Sequence, residues 1–243
     1  MIHLPPLPGY PDSGGIKHAI QHAVADLRAL EEGGVDGVLI ENEYDRPHRI
    51  TAAHETIAAM TSITRAVVQE SETVVVGCEI LLNDPKASLA VASMAGARFI
   101  RTDYFVDRMT RPEYGEFAID PDALLEYRSS IGADDVLVLA DIQVKYATMV
   151  ESRALRESAE LAYRKGADAL IVTGEASGDA PAAEHLRDAA GTGVPVLIGS
   201  GLKSANAEAL LAACDGAIVG TSLMQDRSVD NDALELLMSC VKR

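Results

Sequence analysis

Two glycine-containing segments in the last quarter of the chain have the composition of anion-binding turns. Residues 198–201 read Ile-Gly-Ser-Gly and residues 219–222 read Val-Gly-Thr-Ser, and each follows a short apolar run. Glycine lets backbone N–H groups approach a ligand, and a helix that starts next adds the positive end of its dipole. We therefore expect these residues to bind a phosphate: Gly199, Ser200, Gly201, Gly220, Thr221 and Ser222.

A third glycine-rich segment, Gly-Glu-Ala-Ser-Gly at 174–178, follows another apolar run. Gly174 and Gly178 are expected to complete the phosphate cradle or to give this segment the freedom of a flap. The alternative for all three segments is structural, because glycine also allows tight turns between a strand and a helix. Two consecutive loops carrying the same pattern favour phosphate binding.

Ionisable side chains stand at the ends of several other short apolar runs. Neighbouring carboxylates raise each other's pKa, and a nearby cation keeps one of them ionised, so such a set provides a general acid and a general base. We expect the catalytic residues to be Glu41, Glu79, Arg101, Asp103, Asp141 and Lys145. The residues expected to contact the substrate are His3, Asn42, Asn83 and Thr173.

Some of these residues have a second interpretation. Lys145 is either a site residue, a surface residue at a helix start or a Schiff-base lysine, and His3 is either a ligand contact or a structural histidine. The four carboxylates have the oxygen ligands that Mg²⁺ or Mn²⁺ prefers, whereas no histidine cluster indicates zinc. No metal site and no cofactor are assigned, and a divalent metal remains an alternative.

The elements that position these residues follow from the alternation of short β-branched runs with longer segments of helical periodicity. Helices are predicted over 16–32 and 52–69, and a third begins after the Asn-Asp-Pro of 83–85. Strands are predicted at 2–4, 37–41, 74–81, 99–104, 136–144, 169–173, 196–199 and 217–220.

Eight strand-helix repeats without a change of pattern indicate a closed (β/α)8 TIM barrel of α/β class, rather than an open doubly wound sheet. Glycine-containing helix-to-strand junctions recur at 33–38, 96–100 and 166–170. A single domain over 1–243 is expected, with ligands bound at the carboxyl ends of the strands. The charged segment 106–120 is predicted to be an irregular loop that covers this face.

Composition limits the partners. The formal charge of −16 opposes nucleic acid and anionic lipid, and no apolar run reaches the length of a membrane span. The start of the chain lacks the features of a signal peptide, and the three cysteines have no CxxC spacing. We expect a cytoplasmic protein with reduced thiols that forms a homo-oligomer, does not insert into membranes, and binds a phosphorylated small molecule.

Several segments resemble the BtpA family, named for a factor in photosystem I biogenesis and grouped with the ribulose-phosphate-binding barrels. They are His-Leu-Pro-Pro-Leu-Pro-Gly at 3–9, Gly-Gly-Val-Asp-Gly at 33–37, Glu-Asn-Glu-Tyr-Asp-Arg-Pro at 41–47, Phe-Ile-Arg at 99–101, Ala-Asp-Ile-Gln-Val-Lys at 140–145, Ala-Leu-Ile-Val-Thr-Gly at 169–174, Val-Leu-Ile-Gly-Ser-Gly at 196–201, and Asn206. The resemblance implies the barrel, the phosphate site and a functional site near Asp141 and Lys145. The sequence departs from the family pattern at Glu79 and Asp103, where asparagine is expected, and at Tyr146, where histidine is usual.

The leading hypothesis is an enzyme of isomerase, lyase or nucleosidase type that acts on a phosphorylated sugar or nucleoside-like compound by general acid-base catalysis. The rival is a non-catalytic assembly or regulatory factor in the biogenesis of a photosystem-type membrane complex. A purely structural interaction protein is a third possibility, because a fold does not dictate an activity.

Overall fold

The computed structural model describes residues 1–174, 176 and 178–241. The strands are β1 (Ile2–His3), β2 (Gly37–Glu41), β3 (Val75–Glu79), β4 (Phe99–Thr102), β5 (Met109–Arg111), β6 (Gly115–Phe117), β7 (Leu137–Ile142), β8 (Thr148–Met149), β9 (Ala169–Val172), β10 (Val196–Ile198), β11 (Gly216–Ala217), β12 (Met224–Gln225) and β13 (Ser228–Val229). The helices are α1 (Ile16–Glu32), α2 (His54–Glu70), α3 (Pro85–Ala95), α4 (Pro121–Ser130), α5 (Leu155–Arg164), α6 (Ala183–Ala189), α7 (Ala207–Leu211) and α8 (Asn231–Ser239), and Thr221–Leu223 form a 3-10 turn.

The first of two compact units comprises residues 1–101, 128–136 and 223–238. Its strands β1 to β4 are parallel and hydrogen-bonded in chain order. Residues of β2 and β3 are buried from the second position of each strand onward. The helix α1 turns Ala23, Leu27 and Leu30 inward at helical spacing, and these three residues are fully buried.

The C-terminal segment of this unit returns to its N-terminal helix. The backbone N–H of Val229 in β13 donates to Asp26 Oδ1 on α1 at 3.2 Å. Gly33 lies against Leu234 of α8 so closely that a Cβ at this position would clash with the leucine side chain. Residues 223–238 therefore complete the packing of α1.

The second unit comprises residues 102–127, 137–222 and the described part of 239–243. Its strands β7, β9, β10 and β11 are parallel, with Ile142 opposite Val172, Val172 opposite Ile198 and Ile198 opposite Ala217. Along the chain, α5 comes between β7 and β9, and α6 comes between β9 and β10. Each unit therefore contributes four parallel strands in chain order, as the sequence predicts.

The interpretation of segment 106–120 as an irregular loop is wrong. β5 and β6 form an antiparallel hairpin in this segment, and β8, which follows β7, pairs with β5 to make a three-stranded sheet, hereafter the inserted sheet. Phe117 of β6 stacks on Tyr104, with ring centroids 4.8 Å apart and an interplanar angle of 12°. The apolar side chains of a short sheet are thus buried against the end of β4.

Within the residues that the structure describes, no helix combines the length and the apolar character needed to cross a bilayer. Cys78 is buried and unoxidised, and Cys214 and Cys240 are half-buried and also free of disulfides. Burial raises the pKa of the Cys78 thiol far above its usual range, which keeps it protonated.

Candidate active site

The carboxyl ends of the strands in the first unit bring four ionisable residues into one row. His3 of β1 pairs in register with Glu41 of β2, and Glu41 pairs with Glu79 of β3. Cys78 of β3 pairs in register with Ile100 of β4, so one residue further along these strands Arg101 lies opposite Glu79. Residues in register on parallel strands point to the same face of the sheet, and these four side chains therefore form a single row.

The row is buried, and each of its carboxylates lies next to a basic side chain. His3 Nε2 lies 3.6 Å from Glu41 Oε2, and Arg101 Nε lies 3.8 Å from Glu79 Oε2. All four side chains are less than a tenth exposed. Buried carboxylates next to a histidine and an arginine are a set from which protons can be moved and on which developing charge can be stabilised.

Contacts around His3 fix its place in the row. The Nε2 atom of His22 on α1 lies 3.2 Å from the carbonyl oxygen of His3 and 3.5 Å from Asp26 Oδ2. The ring of Tyr44 meets the His3 ring edge-on at 6.4 Å, and the Arg227 guanidinium stacks over Tyr44 at 4.8 Å. His3 is therefore held by α1 on its backbone side and by an aromatic ring on its side-chain side.

Asn42, which the sequence predicts as a substrate contact, makes structural hydrogen bonds. Its Oδ1 accepts from the Leu81 N–H at 2.8 Å, and its Nδ2 donates to Asp45 Oδ2 at 3.0 Å. Asp45 is fully buried and accepts a second bond from the Leu7 N–H at 2.8 Å. Burial raises the pKa of Asp45, and these two hydrogen bonds oppose the rise. Asn42 thus joins the loops that follow β1, β2 and β3.

His48 lies in the loop that follows β2, as Asn42 does. It is buried, and its Nε2 lies 3.1 Å from the carbonyl oxygen of Glu43. Burial, followed by the positive charge of Arg46, lowers the pKa of His48 to about 4. The ring is therefore neutral at physiological pH.

The strand ends of the second unit carry the remaining predicted polar residues. Asp141 of β7 is buried, Asp103 is half-buried directly after β4, and Thr173 follows β9 with a buried Oγ1 that has no hydrogen-bond partner among the described residues. Lys145 is half-buried three residues beyond β7 and makes no hydrogen bond or ion pair within the described chain. Asn83 of the first unit is half-buried after β3.

A buried carboxylate that sequence reasoning missed lies in the second unit. Asp107 is 2% exposed and accepts hydrogen bonds from the Gln143 N–H at 3.0 Å, from Ser158 Oγ at 2.7 Å and from Arg153 Nη1 at 3.2 Å. Gln143 Nε2 in turn donates to the Arg153 carbonyl at 3.0 Å. Asp107 thereby fixes the chain after β4 to the chain after β7, next to Asp141.

The two predicted phosphate-binding loops lie side by side. They follow the adjacent strands β10 and β11, and Ser222 Oγ donates to the Leu202 carbonyl at 2.9 Å. Thr221 and Ser222 are exposed, whereas Gly199 and Ser200 are buried and Gly220 is half-buried. Asn206 stiffens the first loop, since its Nδ2 donates to the Gly201 carbonyl at 3.0 Å and its Oδ1 accepts from the Lys203 N–H at 2.8 Å.

Part of this cradle is filled by the chain's own backbone. A Cβ at Gly174 or Gly201 would clash with Asp179, and Ser200 Oγ donates to the Asp179 carbonyl at 2.9 Å. Gly174 and Gly201 are therefore required here by close packing, while Gly178 has a positive φ of 86° and open space beside it. Two residues of the predicted flap, Glu175 and Ser177, lie outside the described residues.

Throughout the described ranges, no group of three or more histidine, cysteine, aspartate or glutamate side chains is arranged to hold a metal ion. Glu41 and Glu79 are paired with a histidine and an arginine instead. The carboxylates of this row thus lie next to basic side chains.

Comparison with solved structures establishes the fold. Thiamine phosphate pyrophosphorylase from Pyrococcus furiosus superposes with a TM-score of 0.61 at 19% identity, covering 89% of this chain and 88% of that chain. 3-Hexulose-6-phosphate synthase superposes with a TM-score of 0.60 at 16% identity, covering 92% and 95%. Both have the TIM-barrel fold, so the α/β barrel predicted from the sequence is confirmed.

Sequence relatives extend over almost the whole chain. An uncharacterised protein from Archaeoglobus fulgidus is 35% identical over 243 residues, which is 100% of this chain and 97% of the relative. The photosystem I biogenesis protein BtpA of Synechocystis is 35% identical over 242 residues, which is 97% of this chain and 82% of the relative. The model of the BtpA family matches residues 1–243, and the chain therefore belongs to the BtpA family.

Proposed function

We propose that the protein is an enzyme that acts on a phosphorylated sugar or nucleoside-like compound by general acid-base catalysis, as an isomerase, lyase or nucleosidase. The observation that carries this proposal is the buried row of His3, Glu41, Glu79 and Arg101 at the carboxyl ends of adjacent parallel strands. Active sites of TIM barrels occupy this face. A purely structural barrel has no need to bury four ionisable side chains there, because each loses hydration.

The residues have distinct roles in this proposal. Glu41 and Glu79 transfer protons, next to His3 and Arg101, and Asp103 and Asp141 are candidate proton-transfer groups of the second unit. Arg101 and Lys145 stabilise negative charge as it develops on the substrate. Thr173 uses its unpaired hydroxyl to orient the substrate.

The phosphate is bound by the adjacent loops after β10 and β11. Support comes from the position of these loops, since this is where TIM barrels place phosphate, and from the backbone N–H groups of the turn at 220–222. Two structurally similar proteins are named for a thiamine phosphate and for a hexulose 6-phosphate. Because Asp179 fills the space at Gly174 and Gly201, the exposed part of the cradle is the second loop, at Thr221 and Ser222.

A thermal-shift experiment tests phosphate binding. The melting temperature is measured with ribose 5-phosphate, glucose 6-phosphate and AMP, each beside its unphosphorylated form, and a ligand present at 100 times its Kd stabilises the native state by about 2.7 kcal/mol. Ser222→Asp places a negative charge in the cradle and removes the shift. Ser62→Asp is the matched control, because Ser62 is also exposed and its hydroxyl also donates to a carbonyl at 2.9 Å.

The proposal is wrong if no phosphorylated compound shifts the melting temperature, or if Ser222→Asp and Ser62→Asp respond identically to every compound. Once a ligand is found, Glu79→Gln and Glu41→Gln are expected to retain its thermal shift. Turnover of that ligand should fall by about a hundredfold or more in each variant, because each removes a proton-transfer group.

A second candidate function is an assembly or regulatory factor for a membrane complex. It is favoured by the name of the Synechocystis relative, a photosystem I biogenesis protein that matches 97% of this chain at 35% identity. Copurification with membrane complexes, measured for the wild type and for Glu79→Gln, separates the two functions. An assembly factor keeps its partners in Glu79→Gln, and an enzyme shows no stable partner in either protein.

We also propose that the chain forms one cooperative domain over 1–243 and associates as a cytoplasmic homo-oligomer. TIM barrels of this length usually form a single domain, and cyclic homo-oligomers are common among soluble proteins. Light scattering after gel filtration gives the subunit number. Urea unfolding followed by two probes tests whether the two compact units unfold together.

A further inference from the structure

An arginine and three tyrosines form a cluster where the inserted sheet meets the ends of β4 and β7 in the second unit. Arg111 ends β5, Tyr114 follows it in the hairpin, Tyr104 follows β4, and Tyr146 follows Lys145 beyond β7. None of these residues belongs to the acid-base row or to the phosphate loops. The cluster is therefore a separate part of the carboxyl-end face in this unit.

The guanidinium of Arg111 lies close to two aromatic rings. It lies 5.6 Å from the centroid of Tyr114 and 5.8 Å from the centroid of Tyr146. These cation–π contacts leave the N–H groups at the edge of the planar group able to donate hydrogen bonds, and this edge matches the geometry of a carboxylate or phosphate. The Nε atom on that edge is buried and has no hydrogen-bond partner among the described residues.

A second unsatisfied donor stands next to this edge. Tyr104 is 1% exposed, and its hydroxyl donates no hydrogen bond to an acceptor within the described part of the chain. Its backbone has a φ of 55°, which is rare for a bulky side chain, and its ring stacks on Phe117. Burial, followed by the charge of Asp103, raises the pKa of Tyr104 to about 12, and Arg111 opposes the rise. The phenol therefore stays protonated at neutral pH and can donate a hydrogen bond.

One carboxylate already competes for the arginine. Glu113 Oε2 lies 3.8 Å from Arg111 Nε, beyond hydrogen-bond distance, and the Glu113 side chain is 64% exposed. An ion pair of this length at the surface is weak, so an incoming anion displaces Glu113 at little cost. The cluster thus combines a largely buried cation, a buried hydroxyl donor and an exposed carboxylate.

We propose that Arg111 and Tyr104 form a second anion-binding subsite, so that the substrate carries a further anionic group, a carboxylate or a second phosphate, besides the phosphate held by the loops after β10 and β11. The proposal rests on the proposed function, because it assumes a phosphorylated substrate. It narrows the substrate class to phosphorylated sugar acids or sugar bisphosphates. The inserted sheet then determines substrate specificity, because Arg111 belongs to β5 and Phe117 of β6 packs on Tyr104.

Matched ligands test the subsite by calorimetry. Glycerol 3-phosphate is compared with 3-phosphoglycerate, erythritol 4-phosphate with 4-phosphoerythronate, and glucitol 6-phosphate with 6-phosphogluconate and fructose 1,6-bisphosphate. In at least one length series, a ligand with a second anionic group should bind about ten- to a hundredfold more tightly than the ligand whose phosphate is its single anionic group, as expected for hydrogen bonds to a charged group. The carboxylate and bisphosphate arms distinguish the two kinds of anion.

Three variants test whether the gain in affinity comes from the cluster around Arg111. Arg111→Gln and Tyr104→Phe should abolish the preference for the second anionic group. Both variants should leave unchanged the affinity for the ligand that carries the phosphate alone. Glu113→Gln should increase the preference, because it removes the competing carboxylate. Far-UV circular dichroism of each variant checks that the fold is retained.

Failure of this inference and failure of the proposed function give different results. Equal affinity for the members of every matched pair in the wild type, or a preference that survives Arg111→Gln, overturns the subsite and leaves phosphate binding intact. Absence of binding by every phosphorylated ligand overturns the proposed function and the subsite with it.

Discussion

The substitution Asp107→Ala should destabilise the second unit strongly. Asp107 is 2% exposed and accepts three hydrogen bonds, one of them from the partly buried Gln143 N–H and one from the buried Ser158 Oγ. Alanine leaves these two donors without their acceptor, whereas Arg153 is partly exposed and can turn to water. A hydrogen bond to a charged group contributes about 1.5–3 kcal/mol, so two lost bonds give a cost of about 3–6 kcal/mol.

Urea unfolding followed by far-UV circular dichroism measures the total effect, and hydrogen exchange locates it. Peptides covering 102–127 and 137–165 should lose protection before those of the first unit. Asp135→Ala is the control, because Asp135 pairs with Arg98 at 2.7 Å while both side chains are more than half exposed, and it should cost less than about 1 kcal/mol. Equal losses for the two variants would refute the view that Asp107 fixes the chain after β4 to the chain after β7.

Three further predictions concern packing and pH. Gly201→Ala should cost more than about 2 kcal/mol in urea unfolding, because its Cβ would strike the backbone of Asp179 and Ala180, whereas Gly132→Ala, at a similar positive φ but in open space, should cost about 1 kcal/mol. The folded pKa of His48, about 4, lies below its ordinary 6.5, so the unfolded state binds the proton first and stability should fall by up to about 3 kcal/mol as the pH drops from 6.5 to 4. His48→Gln should flatten that dependence in acid unfolding curves, and the exposed His54→Gln should not. Phe117→Ala removes the ring that stacks on Tyr104 and should make the inserted sheet sensitive to limited proteolysis, while Phe117→Leu should resist cleavage better.

The elements with regular periodicity are those that the sequence predicts well. Helix α1 spans 16–32 in both the prediction and the structure, because its apolar spacing is regular and Gly33 follows its last turn. Strand β2 also agrees at 37–41. The (β/α)8 class follows from the repetition of such units and does not require exact boundaries.

Two predicted strands are longer than the observed ones. In both, backbone N–H groups beyond the observed end donate to side chains instead of to the neighbouring strand. The run predicted as 74–81 ends at Glu79, since the Ile80 N–H donates to Ser88 Oγ and the Leu81 N–H donates to Asn42 Oδ1. The run predicted as 136–144 ends at Ile142, where Gln143 adopts a φ of 50° and donates to Asp107. Apolar periodicity carries no information about these long-range partners.

The same limit applies to the site. The strand-end rule predicts His3, Glu41, Glu79 and Arg101 as site residues, and the strand register places them in one row. The strand-end rule misses Asp107 and Arg111, because both lie in a charged segment without apolar periodicity. A three-residue strand such as β5 becomes recognisable only through its partners, β6 and β8, and β8 is 37 residues further along the chain.

The return of the C-terminal segment to α1 affects how the protein folds during synthesis. Asp26 receives its hydrogen bond from Val229, 203 residues later, and the surface at Gly33 is covered by Leu234. The first four strands and three helices therefore leave the ribosome with an uncovered apolar surface, and they wait for nearly the whole chain before their packing is complete. Translation that stops after residue 222 should give an aggregation-prone nascent protein that needs chaperones.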